Sequence, residues 1–161
     1  DEEKMFRVIK KHNTPYILMH MSGNPTNMQK HIYYNSFEEE IINFFKEKIE
    51  KLTRDGFKKI IIDPGFGFGK TLNQNYQLIN MIPQIKQFKF PILVGVSRKS
   101  MISKGLKLTT KDTLNGTTAI NTICLTKGAS IIRVHDIKEG KETIEIFKLV
   151  QSNQIYTYNK L

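Results

Sequence analysis

The chain has 161 residues, with 25 Lys and Arg against 15 Asp and Glu, for a formal charge of +10. That length suits one domain with a real core and leaves little room for a second, and 39% hydrophobic with 25% charged residues is a globular rather than a disordered composition. A single cysteine, Cys124, excludes a disulfide framework or a cysteine-cluster zinc site and suits a reducing, cytoplasmic setting, and no apolar run reaches the roughly 18 residues of a membrane span.

A leading helix precedes Pro15, and Tyr16-Ile-Leu-Met19 follows as a short apolar strand. A polar loop, Ser22-Gly-Asn-Pro-Thr26, leads to Ser36, which with Glu39 three residues on reads as a capping box. Ile41, Ile42, Phe45, Ile49 and Leu52 then recur at helical spacing until Gly56 stops the run. The second unit is the strand Lys59–Asp63, a Gly-rich loop Pro64–Gly69, and a helix opened by a Thr71/Gln74 capping box and running to about Gln87, with Pro83 predicting a kink or break. The third strand is Pro91–Val96, followed by Ser97-Arg-Lys-Ser100, a Lys/Thr-rich loop, and a helix from Asn115 to Lys127 stopped by Gly128. The fourth strand is Ala129–Val134, ended by His135-Asp136, and the last helix spans Glu142–Val150. Repeated strand–helix alternation implies a parallel sheet with right-handed crossovers, either a doubly wound open sheet or part of a (β/α)8 barrel. A whole barrel needs about 250 residues, so four units would be half of one.

The basic excess invites a nucleic-acid reading. Yet 21 of the basic residues are Lys and four are Arg, and the lysines spread along the whole chain. Nucleic-acid binders concentrate such charge on one face, so a solvated basic surface, with no nucleic-acid or membrane partner, is the better expectation. Attraction of a small anionic substrate stays open.

Unusual residues collect at the carboxyl ends of the strands: His20, Asp63, Arg98 with Lys99, and Arg133 with His135. That rim is where parallel α/β architectures bind ligands. Asp63 follows three isoleucines, and a carboxylate at the edge of dry core needs donors or a positive charge. Two compatible roles are open: capping the Gly65–Gly69 amides, or reading a flat N–H donor edge of a ligand. The Gly-Lys-Thr end of the loop suggests a phosphate loop, but Walker A needs glycine where Pro64 stands, and glycines at 65, 67 and 69 miss the dinucleotide spacing. Phe68 could wall a flat substrate, or Phe66 and Phe68 could both pack in the core. Arg133 and His135, two apart on a strand, share a face and could clamp an anion; an Arg133–Asp63 bridge is the structural alternative. His20 reads equally as a satisfied core histidine or a ligand. No Ser/His/Asp or Cys/His nucleophilic arrangement is found.

Tyr16-Ile-Leu-Met-His-Met21, Asp63-Pro-Gly-Phe-Gly-Phe-Gly-Lys-Thr71, Val94-Gly-Val-Ser-Arg-Lys-Ser100 and Arg133-Val-His-Asp136 resemble the last four strand motifs of the dihydropteroate synthase family, in that family's order. Asn115-Gly116-Thr117 fits too, and the resemblance covers residues 15 to 152. It implies a pterin-binding TIM (β/α)8 barrel of which 1–161 is a partial domain, the C-terminal half with strands 5–8. The opening Asp1-Glu2-Glu3-Lys4 is neither a signal peptide nor a natural start, which agrees with a piece of a longer chain.

The activity implied is a transferase joining p-aminobenzoate to 6-hydroxymethyl-7,8-dihydropterin pyrophosphate, giving 7,8-dihydropteroate and pyrophosphate on the route to folate, with sulfonamides competing for the p-aminobenzoate site. By resemblance Asp63 reads the pterin N–H edge, Lys99 donates to its ring oxygen and nitrogen, Gly95 lets the ring approach, and Met19 forms part of the floor. Arg133 stacks on the pterin and with His135 holds the pyrophosphate, making Lys99, Arg133 and His135 the catalytic set. Phe68, Ser100 and the Lys99 stem line the p-aminobenzoate subsite. No metal ligand is expected in this chain; the Mg2+ the family implies would be held from the absent half. The partners implied are the N-terminal half-barrel, a second copy in a homodimer and, in some members, a fused pterin pyrophosphokinase. The isolated half is expected neither to fold stably nor to catalyse. Phe66 and Asn24-Pro-Thr-Asn27 depart from the family pattern. The competing functions are a methyltetrahydrofolate-dependent methyltransferase of the same class and a non-catalytic basic binding module.

Overall fold

The computed structural model describes residues 2–23, 28 and 32–153, so the Asn24–Asn27 departure lies outside the described residues. Helix α1 (Glu2–His12) precedes β1 (Tyr16–Met19), α2 (Phe37–Arg54) and β2 (Ile60–Asp63). The chain continues through α3 (Leu72–Asn80), α4 (Ile82–Ile85), β3 (Leu93–Val94), α5 (Ser100–Leu106), α6 (Leu114–Lys127), β4 (Ile131–Ile132) and α7 (Ile137–Ser152).

All strand pairings are parallel and follow chain order. β1 pairs β2 with Met19 opposite Asp63. β2 reaches β3 through an Ile62–Ile92 bridge, and β3 pairs β4 with Leu93 opposite Ile131. The fold is therefore α/β with parallel strands. Among the described residues the strand order contains no reversal, the feature that defines the switch point of a doubly wound sheet.

Each strand has two unlike faces, because successive side chains alternate. Leu18, Ile60, Ile62, Ile92 and Val94 are buried beneath the helices. The opposite face, carrying Ile17, Met19, Ile61, Asp63, Leu93 and Gly95, is more open, with Ile17 47% exposed. Helix α2 covers the buried face with the expected stripe Ile41, Phe45, Ile49 and Leu52. Burying one such side chain contributes roughly 1.5–3 kcal/mol, which sets the orientation of the helix on the sheet.

The helix ends divide between expectation and correction. Thr71 and Gln74 form the reciprocal capping box, and the Pro83 break separates α3 from α4. At Ser36 no side-chain cap forms; instead Glu40, not Glu39, reaches back to the amides of Asn35 and Ser36 at 2.7 and 3.2 Å. One residue further along, a carboxylate can satisfy two orphan amides at once. Helix α5 falls inside the expected Lys/Thr-rich loop. Its Met101 and Ile102 are buried, and Tyr76 Oη donates to the Met101 carbonyl at 3.1 Å. Gly116 of α6 meets this helix: a β-carbon there would lie 2.6 Å from Ile102 Cγ2. Helix α7 starts at Ile137, five residues before the expected Glu142, and β4 is shorter than Ala129–Val134.

Candidate active site

The loop after β2 is built on a sharp reversal. Gly65 lies in the left-handed region (φ +74°), and a β-carbon there would sit 1.8 Å from the His20 carbonyl oxygen, so only glycine fits. Asp63 stabilises the turn by accepting the Gly65 N–H on Oδ1 at 2.8 Å, the capping role expected of it. Among the described residues its Oδ2 receives no hydrogen bond. Burial raises the Asp63 pKa above the ordinary carboxylate range, and the Gly65 amide, Lys99 and Lys70 oppose that rise. An acceptor poised this way gains from N–H donors on a ligand.

Lys70, to which the sequence assigned no role, is the buried keystone of the loop. It is 4% exposed, and its Nζ lies 2.9 Å from His20 Nδ1, 3.0 Å from the Gly65 carbonyl and 3.1 Å from the Phe68 carbonyl. An ammonium has three donors, and with the His20 carbonyl at 3.4 Å four acceptors surround it. Burial pulls the Lys70 pKa down to about 7, against the attraction of Asp63. His20 is the satisfied core histidine: its ring packs edge-on against Phe44 at 4.8 Å, and burial with Lys70 lowers its pKa to about 3. The signal was present in the Gly-Lys pair, since a turn that strands carbonyls indoors needs a buried donor.

The two loop phenylalanines part company. Phe66 is fully buried, whereas Phe68 is half-buried beneath Lys99, whose Nζ lies 4.7 Å from the ring centroid. Lys99 Nζ also donates to the Phe66 carbonyl. Burial lowers the Lys99 pKa, with Asp63 raising it and Arg133 lowering it further. Lys99 thus shares a field with both Asp63 and Arg133. Ser100 begins α5 and borders a cavity of about 270 Å3 with Gly67, Lys70, Asn75 and Lys104. Gly95 leaves open space beside the fourth strand: a β-carbon there would lie 3.9 Å from Arg133 Cβ. Met19, half-buried beside Asp63 in register, is on the same face.

The ends of β3 and β4 are tied by two cross-links. Arg98 grips Asp136 through Nε and Nη2 at 2.9 and 2.8 Å, and its Nη1 donates to the carbonyls of Thr110 and Lys111. Ser97 Oγ accepts the His135 N–H at 3.1 Å and lies 3.0 Å from His135 Nδ1. Arg133 pairs with His135, Nη1 to Nε2 at 2.8 Å, rather than bridging to Asp63. Both side chains are exposed, with the Arg133 guanidinium open to an anion. Among the described residues no group of three or more His, Cys, Asp or Glu could hold a metal ion. Nor is any described helix long and apolar enough to cross a membrane.

Residues 1–135 match the model of the family described as pterin binding enzyme. The chain is 40% identical over 148 residues to the dihydropteroate synthase of Escherichia coli K12, covering 91% of this chain and 51% of that relative. It is similar to the Yersinia pestis dihydropteroate synthase solved in complex with a sulfonamide drug, with 40% identity, TM-score 0.87, and coverage of 92% of this chain and 55% of that one. It is similar also to the Thermus thermophilus dihydropteroate synthase solved in complex with 6HMPPP, with 28% identity, TM-score 0.87, and coverage of 92% and 60%. The chain spans about half the length of the curated relatives it matches. With the family model covering most of these residues, the chain belongs to the pterin-binding enzyme family.

Proposed function

We propose that the chain is the C-terminal half, strands 5–8, of a (β/α)8 barrel, that residues 1–161 are a partial domain completed by a preceding half-barrel, and that the assembled protein is a dihydropteroate synthase. The observation that carries this reading is the line of groups along adjacent parallel strand ends: Asp63, then Lys99 over Phe68, then Arg133 with His135.

In that reading Asp63 Oδ2 accepts from the N–H edge of the pterin while Oδ1 stays on Gly65. Lys99 leaves the Phe66 carbonyl to donate to the ring oxygen and nitrogen, Gly95 gives the ring room, and Met19 lies beneath it. The bond between the pterin methylene and the pyrophosphate oxygen breaks with its electron pair leaving on oxygen. Arg133 and His135 receive that developing charge, and the electron-rich pterin supports the cationic carbon. The amine of p-aminobenzoate, held near Phe68, the Lys99 stem and Ser100, then attacks and releases a proton to solvent. Catalysis is electrostatic, so no protein nucleophile is required. Mg2+ would help neutralise pyrophosphate but would be held from outside this chain. A homodimer, a fused pyrophosphokinase, a cytoplasmic location and sulfonamide sensitivity belong to the same proposal.

Calorimetry on the full gene product tests it. Pterin affinity is expected to rise when pyrophosphate is present; a protein that ignores both ligands sinks the synthase reading. The gene is further expected to encode four βα units ahead of Asp1, and a different preceding sequence would overturn the barrel.

A further inference from the structure

Helix α3 buries an amide where its neighbours bury hydrocarbon. Asn75 is 3% exposed, alongside the buried Leu78 and Ile79 of the same helix. A buried amide inside a helix costs stability unless its hydrogen bonds are made. Here they are. Oδ1 accepts the Gly67 N–H at 2.6 Å, and Nδ2 donates to the carbonyls of Thr71 at 2.7 Å and Lys70 at 3.3 Å. The partners fix which end is which, because a backbone N–H only donates and a carbonyl only accepts. Two of the bonds brace the side chain against the start of its own helix, and the third reaches out to the loop after β2.

The Gly67 N–H belongs to the peptide unit whose oxygen is the Phe66 carbonyl, and Lys99 Nζ donates to that oxygen. One rigid plane is thus held at both polar ends, by Asn75 and by Lys99. Gly67 has φ +80°, and a glycine tolerates either sign of φ, so local sterics do not stop this plane from turning over. A turned plane would aim an N–H at the Lys99 ammonium. The same segment runs along the lysine stem: a β-carbon at Gly67 would lie 3.4 Å from Lys99 Cδ. Beyond it, Lys99 Nζ stands 4.7 Å from the Phe68 ring centroid.

We propose that Asn75 is a positioning residue for Lys99: by holding the Gly67 N–H it keeps the Phe66 carbonyl turned toward the ammonium, and so sets where Lys99 stands over the Phe68 ring before a substrate arrives. This rests on the reading of Lys99 and Phe68 as groups that meet the substrates. Lysine carries its charge on a flexible stem and is strongly hydrated, so a half-buried ammonium needs a fixed acceptor to stay over a ring. With that acceptor held by α3, the stem is ordered in advance and its ordering does not count against binding. The carbonyl also stays in place when Lys99 turns to a ligand. Phe68, the residue after the held N–H, is carried by the same anchor.

The test uses the full gene product with 13C-labelled lysine side chains. In the wild type the Lys99 ε-methylene signal is expected upfield of the other lysines, shifted by the Phe68 ring, and the Gly67 amide is expected to exchange slowly with solvent. A Lys99 signal without that shift, or a Gly67 amide exchanging as fast as an open loop, overturns the proposal without any variant. Asn75→Leu keeps the size of the side chain and removes all three bonds. Its ring shift should fall toward the value common to the other lysines, and pterin pyrophosphate should bind about tenfold more weakly. Asn75→Asp keeps an acceptor for Gly67 in either charge state. It should melt lower than wild type yet retain the ring shift and bind within about threefold of wild type. Loss of the shift in both variants in proportion to lost stability, or in neither, makes Asn75 structural only and overturns the proposal. A wild type that does not bind pterin pyrophosphate overturns the site reading beneath the affinity prediction, while the ring shift decides Asn75 separately.

Discussion

Two cationic clusters stand at the strand ends, and they have opposite characters. At β1 and β2, Lys70 is enclosed by His20 and the carbonyls of Gly65 and Phe68, with its donors consumed. At β3 and β4, Arg133 and His135 are exposed, Arg133 bonding to His135 and His135 held by Ser97. Both clusters lie beside similar Gly-rich or small polar segments. Their difference shows that a cation at a strand end becomes scaffold when the chain folds acceptors around it, and a ligand contact when its acceptors must come from outside. Lys99 stands between the two: it gives a hydrogen bond to the Phe66 carbonyl but keeps donors for a ligand over the Phe68 ring.

That contrast can be broken most severely at Lys70. Replacing it by Met strands a ring nitrogen and two loop carbonyls indoors, a loss expected to reach about 3 kcal/mol of stability. Chemical denaturation measures it, and a melt equal to wild type would move Lys70 out of the scaffold. The opposite behaviour is expected of Lys99→Ala, where pterin pyrophosphate binding should weaken by about a hundredfold with little change in the melt. Asp63→Asn should weaken pterin binding comparably, because an amide nitrogen can replace an acceptor facing ligand N–H groups. Unchanged binding in that variant returns Asp63 to the sole duty of capping Gly65.

The narrowest effect, confined to acid, concerns pH. His20 is held near 3, below its ordinary 6.5, so between those values the unfolded chain takes a proton that the native one refuses. Stability from this group is therefore lost as pH falls from about 6.5 to about 3. Asp63, held above the usual carboxylate range, acts in the opposite direction over the acid limb. His20→Gln keeps an acceptor for Lys70 and should flatten the acid loss by about 1 kcal/mol per pH unit across that window, read from denaturation midpoints at a series of pH values. An equally steep loss in the variant would place the titration elsewhere.

The units repeated along the chain were readable because their signals are local. Three consecutive isoleucines before Asp63 mark a buried strand, the spacing of Ile41, Phe45, Ile49 and Leu52 marks one face of a helix, and Pro83 interrupts the next. Helix α5 was not readable, because its seven residues carry serine, glycine and lysine and it is stabilised by Met101 and Ile102 packing beneath neighbouring helices. The shift from Glu39 to Glu40 at the start of α2 is likewise a matter of side-chain reach. Asp63, Lys99, Arg133 and His135 could be picked out because polar groups ending apolar strands stand out. The contact of Ser97 could not, because its partner His135 is 38 positions away; that of Lys70 was half legible, since two of its acceptors lie in its own loop while His20 is 50 positions away.

Sequence alone therefore determined the alternation of strands and helices, the rim on which the chemistry collects, and the resemblance to pterin-binding enzymes. Periodicity, caps and short motifs are written within a few residues of one another. Tertiary structure decided which of two phenylalanines is core, which cation is scaffold, and that Arg133 turns to His135 rather than to Asp63. Those outcomes depend on which distant groups share a desolvated space. Burial and hydrogen-bond saturation are properties of that space, not of any stretch of chain.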